Sequence, residues 1–312
     1  MNIAVIGAGI AGLSAARALR DRGHSVRVLE RAGAPGGRVA TRTLPMLELP
    51  KGLSGEVAFD HGAQYFTVRD DRFSMLAAEM ERDRVIAKWT GRIVSFDHEG
   101  WEDLPSETNR YVGTPGMSAI GSWMARDLNI TFNHRVESLA PLLAEHDRVI
   151  VALASDQARG LMPDAPPVTM KPCWAVMAAF EEKVTARFDA AFVNGSALSW
   201  IARNGSKPKR NWKIDTWVMH ASTAWSEAHV DEQPDDVGAF LMEAFDDLIP
   251  GGLPKAFYAT VHRWRYATAD PPLAVGAIQA ADSRVILCGD WCVGTRIEDA
   301  YLSGMSAADL TP

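Results

Sequence analysis

Met1-Asn2-Ile3-Ala4-Val5-Ile6-Gly7-Ala8-Gly9-Ile10-Ala11-Gly12, answered by Glu30, is the stretch that decides how this chain folds. Ile3 to Ile6 is an apolar run with no polar break, as expected of a strand buried on both faces. Gly7, Gly9 and Gly12 then spell G-x-G-x-x-G. The first glycine permits the tight turn, the second lets backbone approach a pyrophosphate, and the third lets helix and strand pack closely. Ile10, Ala11 and Gly12 open a helix whose free N–H groups and dipole face the phosphates. Ser14 to Arg22 is rich in helix formers and Gly23 stops it. Ser25 to Leu29 reads as a second strand. Glu30 closes it at the distance where an acid holds a ribose hydroxyl. A glycine triplet alone fits any α/β turn; strand, helix, second strand and acid together predict a dinucleotide site.

The residues after Glu30 narrow the choice of dinucleotide. Arg31 to Arg38 reads R-A-G-A-P-G-G-R, which resembles the segment after the acid in FAD proteins of the glutathione reductase and amine oxidase superfamily. That resemblance assigns Arg31, Gly36, Gly37 and Arg38 to the cofactor. A guanidinium fork suits phosphate, although a loop arginine can also simply be solvated.

The 312 residues allow one large domain or two, and 47% hydrophobic content is that of a globular protein. A net charge of -7 weighs against a nucleic-acid partner. Three cysteines, Cys173, Cys288 and Cys292, give no disulfide framework, and the C-x-x-x-C pair lacks the second pair of a metal site. No basic leader precedes the first strand, and no run of about 20 apolar residues exists. The expectations are a cytoplasmic protein, no metal and no membrane partner, with oligomeric state open.

Further along, Val39 to Val57 reads as strand, loop and strand. The Asp60-His61-Gly62-Ala63 turn sits between strand formers, and its glycine would let backbone approach a ligand. Helices are expected over Asp71–Glu81, Ser118–Leu128 and Asp235–Leu248, and strands over Ile130–Leu139, His146–Leu153, Cys173–Phe180, Leu198–Ala202, Asp215–Ala221 and Ala256–Arg265. Prolines from Pro163 to Pro172 mark a boundary. The expected division is an FAD-binding domain of residues 1–68, 112–163 and 281–312, and a substrate domain of 69–111 and 164–280. Val285 to Leu287 returns as a strand. The resemblance to that FAD superfamily implies that Gly289 and Asp290 then turn toward the ribityl-pyrophosphate, and that a helix over Ile297–Ala308 aims its N-terminus, with Arg296, Ile297 and Glu298, at the flavin pyrimidine ring. The plainer reading is a terminal helix packed on the sheet. A second G-x-G-x-x-G is absent, so a pyridine nucleotide would have to enter a pocket at the flavin itself.

The whole chain resembles the renalases, above all the bacterial ones. The resemblance rests on G-A-G-I-A-G-L-S-A-A at Gly7, G-G-R at Gly36, G-A-Q-Y-F-T at Gly62, P-G-M-S-A-I at Pro115, W-A-V at Trp174, W-I-A-R-N-G-S-K-P at Trp200, H-R-W at His262, C-G-D-W-C at Cys288 and Y-L-S-G at Tyr301. The end pieces are shared with many flavoproteins; Gly62–Thr67 and Trp200–Pro208 are the specific ones. The resemblance implies an α/β fold like that of p-hydroxybenzoate hydroxylase: a Rossmann-type FAD-binding domain with a mixed-sheet substrate domain. It also implies non-covalent FAD and oxidation of 2- and 6-dihydro isomers of NAD(P)H to NAD(P)+, with O2 reduced to H2O2. Gly62, Ala63, Gln64 and Val136 are expected against the cofactor. The chain departs from the pattern at Asp60-His61, at Asp299 and in a shortened Val136–His146 segment.

Hydride loss from a dihydronicotinamide restores aromaticity, so no acid, base or triad is needed; the protein orients and shields. The residues expected around the substrate are His61, Gln64, Tyr65, Asn204, His220 and Trp291. Each has a plainer reading: Gln64 as a sheet polar residue, His61 and His220 as satisfied core histidines, and any tryptophan as packing. Ser206 to Arg210 (S-K-P-K-R) reads as a solvated basic loop, or as a contact for dinucleotide phosphates. Two other functions stay open. An amine oxidase or desaturase would be favoured by an aromatic cage facing the flavin. A non-catalytic flavin-binding protein would resist reduction.

Overall fold

The computed structural model describes residues 1–44, 49–50, 54–104 and 108–312. The chain begins β1 (Asn2–Ile6), α1 (Ile10–Asp21), β2 (Ser25–Leu29), β3 (Thr41–Leu44), β4 (Val57–Asp60), α2 (Asp71–Arg82), β5 (Ile86–Lys88), β6 (Ile93–Asp97), β7 (Gly100–Asp103) and β8 (Tyr111–Gly113). It continues α3 (Ser118–Met124), β9 (Asn129–Thr131), α4 (Ala140–Glu145), β10 (Arg148–Val151), α5 (Ser155–Leu161), β11 (Met170–Phe180), β12 (Ala190–Val193) and β13 (Leu198–Arg203). It closes with β14 (Asp215–Ala221), α6 (Thr223–Ala228), α7 (Pro234–Asp246), β15 (Ala256–Ala269), β16 (Ile278–Gln279), β17 (Val285–Leu287) and α8 (Ile297–Asp309).

A six-stranded sheet runs β16-β17-β10-β1-β2-β9. All its pairs are parallel except β16 on β17. β1 lies inside, with Ile3 to Ile6 buried on both faces, which is why the run has no polar break. One face takes α1 and α8, which meet through small residues such as Ala11, Ala15, Ala307 and Ala308. The other takes Leu139, Ala158 and Met170. Gly12 is fixed by contact: a Cβ there would come within 2.0 Å of the Gly7 carbonyl oxygen.

A seven-stranded sheet runs β15-β11-β14-β13-β12-β6-β7, antiparallel but for the parallel β12–β6 pair. Its far face buries Trp174, Trp217, Phe180 and Phe245, the last supplied by α7. Its near face carries one row in register, His262, Ala175, His220, Trp200 and Phe192, drawn from β15, β11, β14, β13 and β12. Residues opposite one another on neighbouring strands share a face, so this row forms a band across the sheet. The molecule is thus an α/β protein with a Rossmann-type unit and a mixed substrate-type sheet.

Several expected elements differ in extent. Ile130 to Leu139 pairs only as far as Thr131; beyond it the segment is irregular, and Val136 packs beside Leu139 and α4. The helix expected to Leu128 ends at Met124. The middle of the Val39–Val57 excursion lies outside the described residues; its flanks are β3 and β4, paired antiparallel. Among the described residues no helix is long and apolar enough to cross a membrane, and no group of three or more His, Cys, Asp or Glu side chains is placed to hold a metal.

Candidate active site

The carboxyl ends of the parallel strands bring the glycine turn, Glu30, the Gly36–Arg38 loop and Asp290 together. Gly36 N–H donates to the Ala8 carbonyl at 2.8 Å, and Gly9 bridges Gly36. Glu30 accepts from Ala8 N–H at 2.6 Å and from Ala32 N–H at 2.7 Å. Arg38 forks onto Asp290 at 2.7 and 2.6 Å and also donates to the Ala267 carbonyl of β15 at 2.7 Å. Arg31 is exposed. α1 has no side-chain cap, and a Cβ at Gly9 would meet no atom within 4 Å. An uncapped helix start beside open space, with the Gly37 backbone against Gly9, fits the pyrophosphate of a dinucleotide, while the Arg38 fork, expected on phosphate, is held by Asp290 and the Ala267 carbonyl.

The C-terminal helix is built differently from expectation at two side chains. Glu298 is buried, and its carboxylate accepts from Arg69 and Asp70 N–H at 2.8 Å each, so it holds α2 and is not free for a flavin. Asp299 accepts from Thr295 and Arg296 N–H at 2.9 Å each, which accounts for an acid at that position. Ile297 is partly buried against the core. Gly289 N–H is held by Ser303 at 2.9 Å. Trp291, expected near substrate, is fully buried, and its indole N–H donates to the Leu153 carbonyl at 2.8 Å; it is a core residue.

Behind the Gly62 turn lies a buried charge cluster. Asp60 is paired with Arg210 at 2.6 Å and Lys207 at 3.2 Å, and also accepts from Thr41 at 2.8 Å and Met117 N–H at 2.9 Å. Burial alone would push the Asp60 carboxyl up; Lys207 and Arg210 outweigh it and hold it at about 2. Burial pushes the Lys207 ammonium down to about 8 despite Asp60. Two of the three cations of the Ser206–Arg210 run are therefore buried, and only Lys209 faces solvent as a basic loop would. A partner nearly 150 positions upstream is invisible to a local reading of charge.

The same cluster uses Gln64 and Asn204. Lys207 donates to the Gln64 amide oxygen at 3.1 Å, and the Gln64 nitrogen donates to the Asp60 and Gly62 carbonyls, the latter at 3.2 Å. Asn204 bridges the Asp60 N–H and the Ala58 carbonyl, at 3.3 and 2.7 Å. Both side chains are spent inside the protein. They shape the Gly62–Ala63 turn, where Ala63 N–H donates to the Arg38 carbonyl at 2.9 Å. Gly62 is fixed by this approach, since a Cβ there would lie 2.0 Å from that carbonyl oxygen.

The segment His61–Tyr65 lies along the band of the seven-stranded sheet. The His61 carbonyl accepts from His220 Nε2 at 3.1 Å and Trp264 Nε1 at 2.9 Å. The His61 ring meets His262 edge-on and stacks on Trp264. Burial, with His262 nearby, pushes His61 down to about 4, and burial pushes His220 to about 4 as well. Both rings are neutral at pH 7. Tyr65 joins Trp89, Trp200 and Phe192 in an aromatic cluster. The Arg110 guanidinium lies 5.4 Å from the Tyr65 ring centre, and Lys207 Nζ lies 5.6 Å from that of Trp89. His61 Nδ1, Trp200 Nε1, Arg110 Nε and Arg210 Nε are buried with no partner among the described groups. Each such donor or acceptor costs on the order of 1–3 kcal/mol. Sequence reasoning missed Arg110, Trp200, His262 and Trp264 as site residues. The available signal was alternation, since His262 and Trp264 sit two apart on β15 and so share a face.

This geometry defines a flavoprotein of two interleaved sheets, and the comparisons agree. Residues 5–79 match the NAD(P)-binding Rossmann-like domain, and residues 99–311 match the flavin-containing amine oxidoreductase family. The chain belongs to the flavin-containing amine oxidoreductases and is an FAD-dependent oxidoreductase. Its fold is similar to that of a protein provisionally described as a protoporphyrinogen oxidase from Exiguobacterium sp. 255-15, at 11% identity and TM-score 0.76, covering 99% of this chain and 98% of that one. Cyclohexylamine oxidase from Brevibacterium oxydans IH-35A matches at 12% identity and TM-score 0.69, with 99% and 98% covered. Putrescine oxidase bound to putrescine matches at 13% identity and TM-score 0.66, with 99% of each chain covered.

Proposed function

We propose that this protein is a renalase-like oxidase that converts 2- and 6-dihydro isomers of NAD(P)H to NAD(P)+, with O2 reduced to H2O2. The observation that carries this reading is the occupancy of the aromatic cluster. An amine substrate is a cation and would seek the faces of Tyr65 and Trp89. Those faces already hold Arg110 and Lys207. The surroundings repel a second cation and suit a neutral ring or an anionic nucleotide.

FAD, bound non-covalently, would supply the hydride acceptor and the route for its electrons to O2. In this reading residues 1–68, 112–163 and 281–312 hold it, and residues 69–111 and 164–280 present the substrate. The protein's own part is placement. The Asp60–Lys207–Gln64 network fixes the Gly62 turn, while His61 and His220 offer polar but uncharged surfaces at neutral pH. No side chain is asked to move a proton.

Family membership favours a second reading, oxidation of an amine. Anaerobic mixing of the purified holoenzyme with 6-dihydroNAD separates the two. Rapid loss of the flavin absorbance, restored by O2, is the expected result. Bleaching by putrescine or cyclohexylamine with none by 6-dihydroNAD would overturn the dihydronicotinamide assignment.

A further inference from the structure

Trp89 and Trp200 stand side by side in the same cluster, yet their N–H groups fare differently. Trp89 Nε1 donates to the Ser206 hydroxyl at 3.2 Å. Trp200, only 6% exposed, has no acceptor for its Nε1 among the described groups. Arg110 repeats the pattern: its Nε is buried and unpartnered, and no described carboxylate pairs with it. Buried donors are nearly always satisfied. Of the four buried polar atoms without a described partner, two are donors set around one tyrosine, and these point to an acceptor supplied from outside the chain.

Position ties this pair to the cofactor side. Both flank Tyr65: the Trp200 ring centre is 5.6 Å and the Arg110 guanidinium 5.4 Å from its ring. Tyr65 lies three residues past Gly62, which rests against the Arg38 carbonyl of the cofactor loop. Trp200 belongs to the band on the near face of the sheet, directly opposite His220. Arg110 is held to the cluster through its backbone carbonyl, which accepts from Trp89 N–H at 2.8 Å. Both groups donate and neither accepts, so they select an oxygen that only accepts.

We propose that Trp200 Nε1–H and the Arg110 guanidinium form a donor pair that binds an acceptor oxygen of the substrate, either the carboxamide carbonyl of a nicotinamide ring or a phosphate of its nucleotide. This rests on the dihydronicotinamide reading and names the specificity residues within it. Neither residue takes part in hydride transfer; each fixes where the substrate lies.

Equilibrium titration of the oxidised holoenzyme with NAD+, followed by perturbation of the flavin absorbance, tests the pair directly. Trp200→Phe removes one neutral donor and is expected to weaken NAD+ about fivefold; Arg110→Gln removes a charged donor and is expected to weaken it about thirtyfold. Arg110→Lys should recover part of that loss. ADP-ribose distinguishes the two oxygen sources. If it weakens in parallel with NAD+, the oxygen is a phosphate; if it is unaffected while NAD+ weakens, the oxygen is the carboxamide. Should Trp200→Phe fail to fold, Arg110→Gln carries the test, because Arg110 is partly exposed. NAD+ affinity within twofold of wild type in both Trp200→Phe and Arg110→Gln would overturn the pair alone. No NAD+ binding by the wild type, with no bleaching by 6-dihydroNAD, would overturn the functional reading and the pair with it.

Discussion

Asp60 is one carboxylate facing two buried cations, and that imbalance makes its removal asymmetric. Asp60→Asn leaves Lys207 and Arg210 buried without a counter-charge, which costs about 3–5 kcal/mol. Lys207→Met leaves one balanced Asp60–Arg210 pair and is expected to cost clearly less. Denaturant unfolding of the two holo-variants checks the order; equal losses would mean that charge balance does not govern the cluster. At this scale the sequence was least legible. The glycines and Glu30 could be placed because their chemistry is local to one turn and one helix. Asn204 and the Ser206–Arg210 run could not, because their partners lie on β4 and in the Gly62 turn, far away along the chain, and Gln64 could not, because its acceptor role depends on Lys207, equally distant. Trp291, beside Gly289-Asp290, is expected near substrate from the sequence, and its full burial and its distant acceptor, the Leu153 carbonyl, show it to be core.

Among elements, those with a complete local signal read correctly: β1 is an unbroken apolar run, and α2 and α7 each carry their own apolar face. Short ones such as α4 and α6 did not stand out, and β9 stops early because no neighbour continues its ladder past Thr131. The start of α2 depends on α8 through Glu298. Glu298→Ala is expected to cost about 2 kcal/mol by leaving the Arg69 and Asp70 N–H groups without their acceptor. Glu298→Gln, which keeps an oxygen there, should cost less. Hydrogen exchange reads the element involved: faster exchange confined to residues 69–76 fits this role, and unchanged exchange there excludes it.

At the level of the whole molecule, acid is expected to act through His220 of the band and His61 beside it. His61 and His220 are held neutral in the fold, at about 4 against an ordinary value of 6.5. Below pH 6.5 the unfolded chain takes up protons that the folded one refuses, so stability is complete above 6.5 and falls as pH drops toward 4. Thermal unfolding between pH 7.5 and 5 should show this decline, and His220→Gln should flatten it; an unchanged slope in that variant would assign the acid sensitivity elsewhere. The α/β class and the Rossmann unit were legible in the first residues of the chain. The order of strands in the seven-stranded sheet was not, because register is set by contacts between strands and not by any one of them.

The path of the chain between its two sheets carries a consequence for descent. It leaves the six-stranded sheet between β2 and β6, returns between β7 and β9, leaves again between β10 and β11 and comes back between β15 and β16. A single splice therefore cannot exchange one sheet for that of another flavoprotein without tearing strands from the other. On this plan a change of substrate is reached more simply by point replacement along existing strands, at positions such as those of the near-face band, than by exchange of a whole sheet.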